Sequence, residues 1–324
     1  MSLFNEMNNS GCTKCHKIYM DSNNGLCKIT NSVDDLFPVR CVGEWGKDKI
    51  SFLSRYIDIV GKSMYDKWRL NYIEVCSGPG RCIDRDHSEE FDGSPLAVLK
   101  KEGAKNYSNF LFIDYDETVV DFLKKRIESS KELDSTIKSK VKVLKGDYNK
   151  PIELMALIKE NTKTQHTYGT NFEYEKKPLN TLFIDPTDLS VPFDTLLKLS
   201  RIDGKIDLII NEAIYSDFNR NSKVPFLFEN SKAEEKWERV LGIPGFFKSN
   251  EYLKLAKMND IEGIRRLFHS KYVEQLNSIG YTCCQEAKIS NLYYLLLASS
   301  NPLAVEFWKK ACMLDGGGQK ELNF

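Results

Sequence analysis

The chain has 324 residues, 41% of them hydrophobic and 28% charged, which excludes a wholly disordered, collagen-like or mucin-like protein. Its 46 basic side chains balance its 46 acidic ones, so binding to nucleic acid or to an anionic membrane would need a local patch. Nine cysteines, an odd number on a long chain, argue against a disulfide framework. The absence of a signal-peptide or membrane-helix pattern predicts a cytoplasmic protein.

Residues 1–43 are polar and follow neither a helical nor a strand period, which predicts a small appendage. Two cysteines two residues apart can share a metal ion, so the segment contains a candidate tetrahedral zinc site. The candidate ligands are Cys12, Cys15, Cys27 and Cys41, with His16 as an alternative. Of the four histidines, only this one lies beside other candidate ligands in the sequence. Because 13 residues separate the second cysteine pair, a flexible tail is the alternative interpretation.

The segment that starts at Glu44 predicts a long amphipathic helix, and it is followed by five short apolar runs that alternate with helical stretches. Two further strand-like runs close to the C-terminus predict an antiparallel hairpin. Parallel strands joined by helices predict a doubly wound α/β fold, because such strands need crossover connections. We therefore expect a Rossmann-like sheet of seven strands, at residues 71–76, 109–114, 141–144, 179–185, 205–211, 280–288 and 291–299.

This pattern divides the chain into four parts. The appendage of residues 1–43 precedes the main part of the core at 44–211, and residues 260–324 complete the core with a crossover helix, the hairpin and a tail. Residues 212–259 form a predicted helical insertion at the rim where substrates of such folds bind. Its aromatic side chains predict either a stacking surface for a base or the insertion's own core. These side chains are Trp237, Phe246, Phe247 and Tyr252.

Polar residues follow the first two predicted strands where each strand ends. Glu74 lies near the end of the first strand, before a glycine-containing turn formed by Cys76, Ser77, Gly78, Pro79 and Gly80. Asp114 ends the second strand, where a carboxylate can accept hydrogen bonds from both hydroxyls of a ribose. Gly80 and Asp114 are 34 residues apart, and leaving out the predicted 13-residue loop 81–93 gives 21, close to the roughly 20 of nucleotide-binding folds.

The third and fourth strands also end in polar residues. Asp147 and Tyr148 follow the third strand, where an adenine ring would lie, and Asp185 and Pro186 end the fourth strand at the expected reaction centre. A redox dinucleotide site is disfavoured, because Cys76 replaces the first glycine of the usual motif and no helix follows the turn directly. S-adenosylmethionine has no phosphate to hold and therefore suits this turn better.

Several motifs together resemble the three-Cys-motif partner (TcmP) family, whose members look like seven-stranded S-adenosylmethionine-dependent methyltransferases. The resemblance spans about Val42 to Trp308 and is carried by YIEVCSGPGR, DGSPLAVL, LFIDPTDLSVPF and YYLLLASSNPLAVEFW. It implies an S-adenosylmethionine site and a partner protein with three cysteines. Matched residue by residue, it implies a cofactor loop at Glu74 and Cys76 to Gly80, a ribose carboxylate at Asp114, an adenine-side residue at Asp147 and a reacting centre at Asp185 and Pro186.

The first-strand turn also resembles the turn of RNA ribose and cytosine methyltransferases, which favours RNA as the substrate class. Every known substrate motif is incomplete, however. Asn211 stands where ribose methylation would require a lysine, and LFIDPTDLSVPF contains no nucleophilic cysteine. Two hypotheses therefore stand: a methyltransferase in which Asp185 positions or deprotonates a polar acceptor atom, and an adaptor that mainly binds the three-cysteine partner.

Overall fold

The computed structural model describes residue 15 and residues 17–163, 176–290 and 292–313. Within these ranges the strands are β1 Leu26–Asn31, β2 Pro38–Val42, β3 Arg69–Val75, β4 Arg81–Asp84, β5 Glu89–Asp92, β6 Tyr107–Asp114, β7 Val141–Lys145, β8 Pro178–Ile184, β9 Lys205–Glu212, β10 Cys283–Ile289 and β11 Tyr293–Ser299. The α-helices are α1 Trp45–Met64, α2 Ser94–Leu99, α3 Glu117–Ser129, α4 Ser135–Ser139, α5 Pro151–Thr162, α6 Phe193–Leu199, α7 Asn219–Asn221, α8 Val224–Leu227, α9 Lys232–Leu241, α10 Asn250–Lys257, α11 Ile261–Ser278 and α12 Pro302–Cys312.

Seven of these strands form one sheet in the order β10-β11-β9-β8-β3-β6-β7. The pairs β3/β6, β6/β7 and β8/β9 are parallel, whereas β11 runs antiparallel to both β9 and β10. The predicted doubly wound, seven-stranded Rossmann-like sheet with a closing hairpin is therefore confirmed. No helix in the described part of the chain has the length and apolar character that crossing a membrane requires.

The chain divides into two compact units. The first unit runs to Lys145 and takes in the chain from Phe307 onward. In this unit the hydroxyl of Tyr107 on β6 donates to the carbonyl oxygen of Ile57 on α1 over 3.3 Å, and Tyr56 of α1 contacts Trp308 of α12 edge-on. The helix α1 approaches the short 3-10 helix Glu102–Asn106 so closely that a Cβ on Gly61 would lie 2.3 Å from the carbonyl oxygen of Gly103.

The first unit also contains a four-stranded sheet in the order β1-β2-β4-β5, which the sequence pattern did not predict. Residues 81–93, expected to form a loop, form the antiparallel hairpin of β4 and β5. The supposed appendage contributes β1 and β2, and β2 pairs in parallel with β4. A small cluster of Cys27, Val39 and Ile83 is buried between these strands. The sheet continues directly from the glycine turn, because β4 begins at the residue after Gly80.

The second unit contains β8 to β11 and the helical insertion after β9. The aromatic residues of that insertion are buried: Trp237 is 2% exposed, Phe247 is 3% exposed and Tyr252 is fully buried. The ring centroids of Phe247 and Tyr252 lie 4.8 Å apart, and those of Phe218 and Trp237 lie 4.9 Å apart. The hypothesis that these rings form a stacking surface for a base is therefore wrong, because they pack against one another as the core of the insertion and are not accessible to a ligand.

Candidate functional site

Glu74, two residues before the glycine turn of the first unit, accepts hydrogen bonds from two neighbouring side chains. Its carboxylate lies near the end of β3 and is fully buried. Tyr72 donates a hydrogen bond to one carboxylate oxygen over 2.8 Å, and Ser94, the first residue of α2, donates to the other over 2.5 Å. A buried carboxylate needs such partners because losing water is costly. Glu74 therefore ties the end of β3 to the first residue of α2.

The turn itself combines three residues in the left-handed region of backbone space. Cys76 has a φ of +68°, Gly78 of +67° and Gly80 of +86°. A Cβ on Gly80 would lie 2.8 Å from Cδ1 of Leu123, so packing also requires glycine there. This backbone conformation is energetically unfavourable for a non-glycine residue such as Cys76. Such strain persists where the surrounding structure enforces it, often at ligand sites. Cys76, which replaces a glycine of the dinucleotide motif, adopts the backbone conformation that a glycine would.

The structure brings the predicted ribose carboxylate next to this turn. Asp114 is 7% exposed at the end of β6. The backbone N–H of Gly78 donates to its Oδ2 over 3.0 Å, and the backbone N–H of Asp116 donates to its Oδ1 over 3.1 Å. Each carboxylate oxygen keeps further lone-pair sites, which hydroxyls of a ligand can use. The glycine turn after β3 and the end of β6 therefore lie side by side in the first unit.

Ser77 supplies a polar atom that the protein leaves unsatisfied. Its side chain is 5% exposed, and its Oγ has no hydrogen-bond partner in the described chain. Its backbone N–H donates to the carbonyl oxygen of Ile113 over 3.0 Å, which fixes the residue against β6. A buried hydroxyl without a partner costs about 1–3 kcal/mol, and polar groups of a ligand would remove that cost. The turn therefore fits a small polar ligand.

The N-terminal segment reaches the same strand ends, which the sequence did not predict. Asn24 donates from Nδ2 to Oδ2 of Asp116 over 3.1 Å, and Tyr115 donates from Oη to the carbonyl oxygen of Asn23 over 2.6 Å. These contacts link residues about ninety positions apart in the sequence, so no local sequence pattern could predict them. The loop before β1 thus lies beside the end of β6.

In the second unit, Asp147 and Tyr148 are half-buried after β7. Asp147 accepts a hydrogen bond from the backbone N–H of Asn149 over 2.8 Å, so it shapes a tight turn. The hydroxyl of Tyr148 lies 2.9 Å from Oγ of Ser190, and its carbonyl oxygen accepts a hydrogen bond from Thr195 over 2.7 Å. The structure therefore connects the proposed adenine-side pair to the segment that follows β8.

Asp185 is 7% exposed after the end of β8, beside Asn211 of β9. The Nδ2 of Asn211 donates to Oδ1 of Asp185 over 2.8 Å and contacts the carbonyl oxygen of Pro186 at 3.3 Å. The Oδ1 of Asn211 is buried without a hydrogen-bond partner in the described chain. A carboxylate and an amide oxygen together can accept hydrogen bonds from a ligand N–H or O–H group. Sequence reasoning noted Asn211 only as a departure from a ribose-methylation pattern.

The insertion is tied to the loop after β8 by Lys236 of α9. Its Nζ donates to Oδ2 of Asp188 over 2.9 Å and to Oδ2 of Asp217 over 2.6 Å. Burial opposes the charged ammonium, but these two hydrogen bonds outweigh it and raise the pKa of Lys236. Asp217 also accepts a hydrogen bond from the backbone N–H of Leu189 over 3.2 Å. The ion-pair network thereby fixes the residues that follow Asp185 and Pro186.

A second cluster of titratable groups surrounds His269 of α11, and sequence reasoning missed it. The Nδ1 of His269 lies 2.8 Å from the fully buried carboxylate of Glu212, at the end of β9, and Nε2 lies 2.5 Å from Glu286 of β10. Burial disfavours the imidazolium, but the hydrogen bonds with both carboxylates outweigh it and raise the pKa of His269 to about 10. The side chain is therefore a charged link between the helix and two strands at neutral pH.

The predicted zinc ligands fall partly outside the described residues. Cys12 and the alternative ligand His16 lie there, whereas Cys15 and Cys27 are buried and Cys41 is half-buried. Among the described residues, no three His, Cys, Asp or Glu side chains form a group that could hold a metal ion. Cys27 packs instead against Val39 and Ile83. The zinc site stays a prediction from the cysteine spacing.

No protein-family model and no curated protein matches this sequence. Solved structures with a similar fold include an O-methyltransferase from Bacillus cereus in complex with SAH, at 15% identity over 78% of this chain and 80% of that chain, with a TM-score of 0.38. The O-methyltransferase TomG from Streptomyces achromogenes, in complex with SAM, matches at 10% identity over 80% and 82%, with a TM-score of 0.37. The methyltransferase domain of bacterial CtHen1 matches at 11% identity over 78% and 98%, with a TM-score of 0.36.

Proposed function

We propose that the protein is an S-adenosylmethionine-dependent methyltransferase that acts on a polar atom of its substrate. The glycine turn carries this proposal: three residues with positive φ angles bring it against Asp114, and the buried Ser77 hydroxyl has no partner within the described residues. Asp114 would bind the ribose, and the turn from Cys76 to Gly80 would contact the amino-acid end of the cofactor. Asp147 and Tyr148 keep their proposed role on the adenine side, from their position after β7.

Asp185 and Asn211 are the residues proposed to act on the acceptor. When bound, S-adenosylmethionine supplies a methyl group on a positively charged sulfur, which leaves as a neutral thioether when the acceptor atom attacks in line. Asp185 would accept the acceptor's proton, and Asn211 would orient the same N–H or O–H group through its Oδ1, which has no partner in the part of the chain that the structure describes. The hydrogen bond from Asn211 holds the Asp185 carboxylate in one orientation.

RNA is the proposed substrate class, on the resemblance of the turn YIEVCSGPGR to that of RNA methyltransferases. The test is to incubate the protein with labelled cofactor and, separately, total cellular RNA, DNA and protein. We expect methyl uptake by the RNA pool. Uptake by another pool would overturn the RNA assignment while keeping the methyltransferase.

The second candidate function is an adaptor that binds a three-cysteine partner protein. It is favoured by the incomplete substrate motifs and by the family resemblance, which supplies the proposed partner. Adding that partner to the methyl-uptake assay separates the two functions. Uptake by no pool, with or without the partner, together with stable complex formation, would favour the adaptor.

Cofactor binding is expected to raise the melting temperature. A ligand that binds only the native state stabilises it by about 2.7 kcal/mol at a hundredfold excess over its dissociation constant. Replacing Asp114 by alanine should remove most of the shift, because the variant loses the ribose acceptor and the hydrogen bond that holds Gly78. Asp121, exposed on α3, offers the matched control Asp121→Ala, which should keep the full shift. No shift of the wild-type protein at millimolar ligand would contradict the cofactor proposal.

We also propose one structural zinc at the N-terminal cysteines. Metal analysis of the purified protein should find close to one zinc per chain, because the C-x-x-C spacing suits tetrahedral coordination. The double substitution Cys12→Ser and Cys15→Ser should release the metal and leave cofactor binding intact. The substitution Cys284→Ser, on β10 of the second unit, is the matched control and should keep the metal. Finding no metal in the wild-type protein would contradict the zinc proposal and would mean that protein contacts alone stabilise this segment.

A further inference from the structure

Three arginines flank the glycine turn of the first unit, and two of them are fully engaged by protein groups. Arg126 donates to the carbonyl oxygen of Pro79 over 2.8 Å and pairs with Asp35. Arg81 contacts three carboxylates, those of Asp34, Glu90 and Asp92. Both guanidinium groups are therefore already paired with protein groups and are poor candidates for binding a ligand. The third arginine, Arg40 of β2, differs from both.

Arg40 is placed against the turn by the register of the four-stranded sheet. It pairs with Leu26 of β1 on one side and with Cys82 of β4 on the other, two residues beyond Gly80. A Cβ on Gly25 would lie 3.3 Å from its Nε, and a Cβ on Gly78 would lie 3.1 Å from its Nη1. The side chain therefore extends between two glycines with positive φ and ends at the turn proposed to hold the cofactor.

Within the described residues, the guanidinium of Arg40 has neither a hydrogen bond nor an ion pair with the protein, although its side chain is half-buried. Gly78, which it approaches, donates its backbone N–H to Asp114. The buried Ser77 hydroxyl, next in sequence, also has no partner in the described chain. Within the described residues, an unpaired guanidinium and an unpaired hydroxyl thus lie together at this turn, next to the carboxylate proposed to bind ribose.

We propose that Arg40 binds the carboxylate of the amino-acid end of the cofactor, with Ser77 as a second hydrogen-bonding group. This inference rests on the proposed function. The planar guanidinium offers two parallel N–H groups that match a carboxylate, and such charge-assisted pairs are stronger than neutral hydrogen bonds. The carboxylate is the only anionic group of S-adenosylmethionine. Arg40 would therefore distinguish the complete cofactor from nucleosides that lack the amino-acid carboxylate.

Calorimetric titration with two ligands tests this inference without any catalysis. The ligands are S-adenosylhomocysteine and its decarboxylated analogue, which differ only in the carboxylate. The substitution Arg40→Gln should weaken binding of S-adenosylhomocysteine by about 10- to 100-fold and change binding of the analogue by less than about twofold. Arg40→Lys should give an intermediate loss, because it keeps the charge but not the bidentate geometry. Arg266→Gln, at an exposed position of α11, is the control and should change neither affinity.

The outcomes separate this inference from the function on which it rests. Equal weakening of both ligands by Arg40→Gln would show that Arg40 only supports the turn and would overturn the inference. No weakening of either ligand would also overturn it, while the binding itself would uphold the proposed function. A wild-type protein that binds neither ligand would overturn the proposed function, and the inference with it. Unchanged melting temperatures of the unliganded variants would confirm that they fold.

Discussion

Replacing His269 by alanine is expected to lower the free energy of unfolding by about 3 to 5 kcal/mol. The imidazolium neutralises Glu212, whose side chain is fully buried, and it also binds Glu286. Without it, Glu212 is left as a buried charge with no cationic partner, a situation that costs far more than the lost contact itself. Urea unfolding at pH 7, followed by circular dichroism, measures the difference.

The same cluster predicts how stability depends on pH. The folded-state pKa of His269 is raised from 6.5 to about 10 by Glu212 and Glu286, against the effect of burial. A group whose pKa is raised by folding stabilises the native state fully below its unfolded pKa and loses that stabilisation as the pH rises. The wild-type protein should therefore lose stability between about pH 6.5 and pH 10. His269→Gln should show a flatter profile over this range.

His87 provides the matched control for both measurements. It also pairs with a carboxylate, that of Asp84 at 3.0 Å, and this hydrogen bond raises its pKa. Its side chain is exposed, however, so water screens the pair. His87→Gln should leave the unfolding curve nearly unchanged. Equal losses from His87→Gln and His269→Gln would contradict the buried-charge explanation, because it requires the effect to follow burial.

The seven-stranded sheet could be predicted because its central strands are buried on both faces and appear in the sequence as continuous apolar runs. KIDLIIN became β9, and YYLLLAS from the last predicted run became β11. The amphipathic stripe that begins near Trp45 became α1. In each of these segments the local pattern and the burial agree, so the sequence alone was sufficient.

The four-stranded sheet could not be predicted in this way, because distant charge pairs hold its strands. Arg81 pairs with Asp34, 47 residues earlier, and Glu90 accepts a hydrogen bond from the Ser32 hydroxyl across 58 residues. Such strands are short and rich in charged residues, and they show no clean alternation. The same limit applies to Arg40: only the register of β1, β2 and β4 places it beside Gly78.

The candidate site shows the same division between local and distant information. The order of polar strand ends predicted Asp114 and Asp185 as site residues, and in the structure the backbone N–H of Gly78 donates to Asp114. The His269 cluster had no sequence signal, because its hydrogen-bond partners Glu212 and Glu286 lie 57 and 17 residues away in the sequence. The aromatic residues of the insertion fitted either a base-stacking surface or the insertion's own core, and only their burial in the structure could choose between these.

Replacing Asp185 by asparagine is expected to slow methyl transfer by about 10²- to 10⁴-fold, while cofactor affinity changes little. The substitution keeps the shape of the side chain but removes the negative oxygen that would take the acceptor's proton. It also places an amide opposite Nδ2 of Asn211, so one orientation of the pair loses its hydrogen bond. The measurement is the initial rate of label uptake by the accepting pool at saturating cofactor, with a parallel cofactor titration.

Asn211 extends this prediction, because its Oδ1, which no described residue binds, is assigned to orienting the acceptor rather than to moving a proton. Asn211→Leu should raise the KM for the acceptor and reduce the rate less than Asp185→Asn does. Asn180 on β8 is the matched control: it is also buried, but its Nδ2 donates to the carbonyl oxygen of Asp203, near the start of β9. Asn180→Leu should lower stability without changing the KM. If both asparagine variants shifted the KM equally, the effect would come from loosening the sheet, and Asn211 would lose its assigned role.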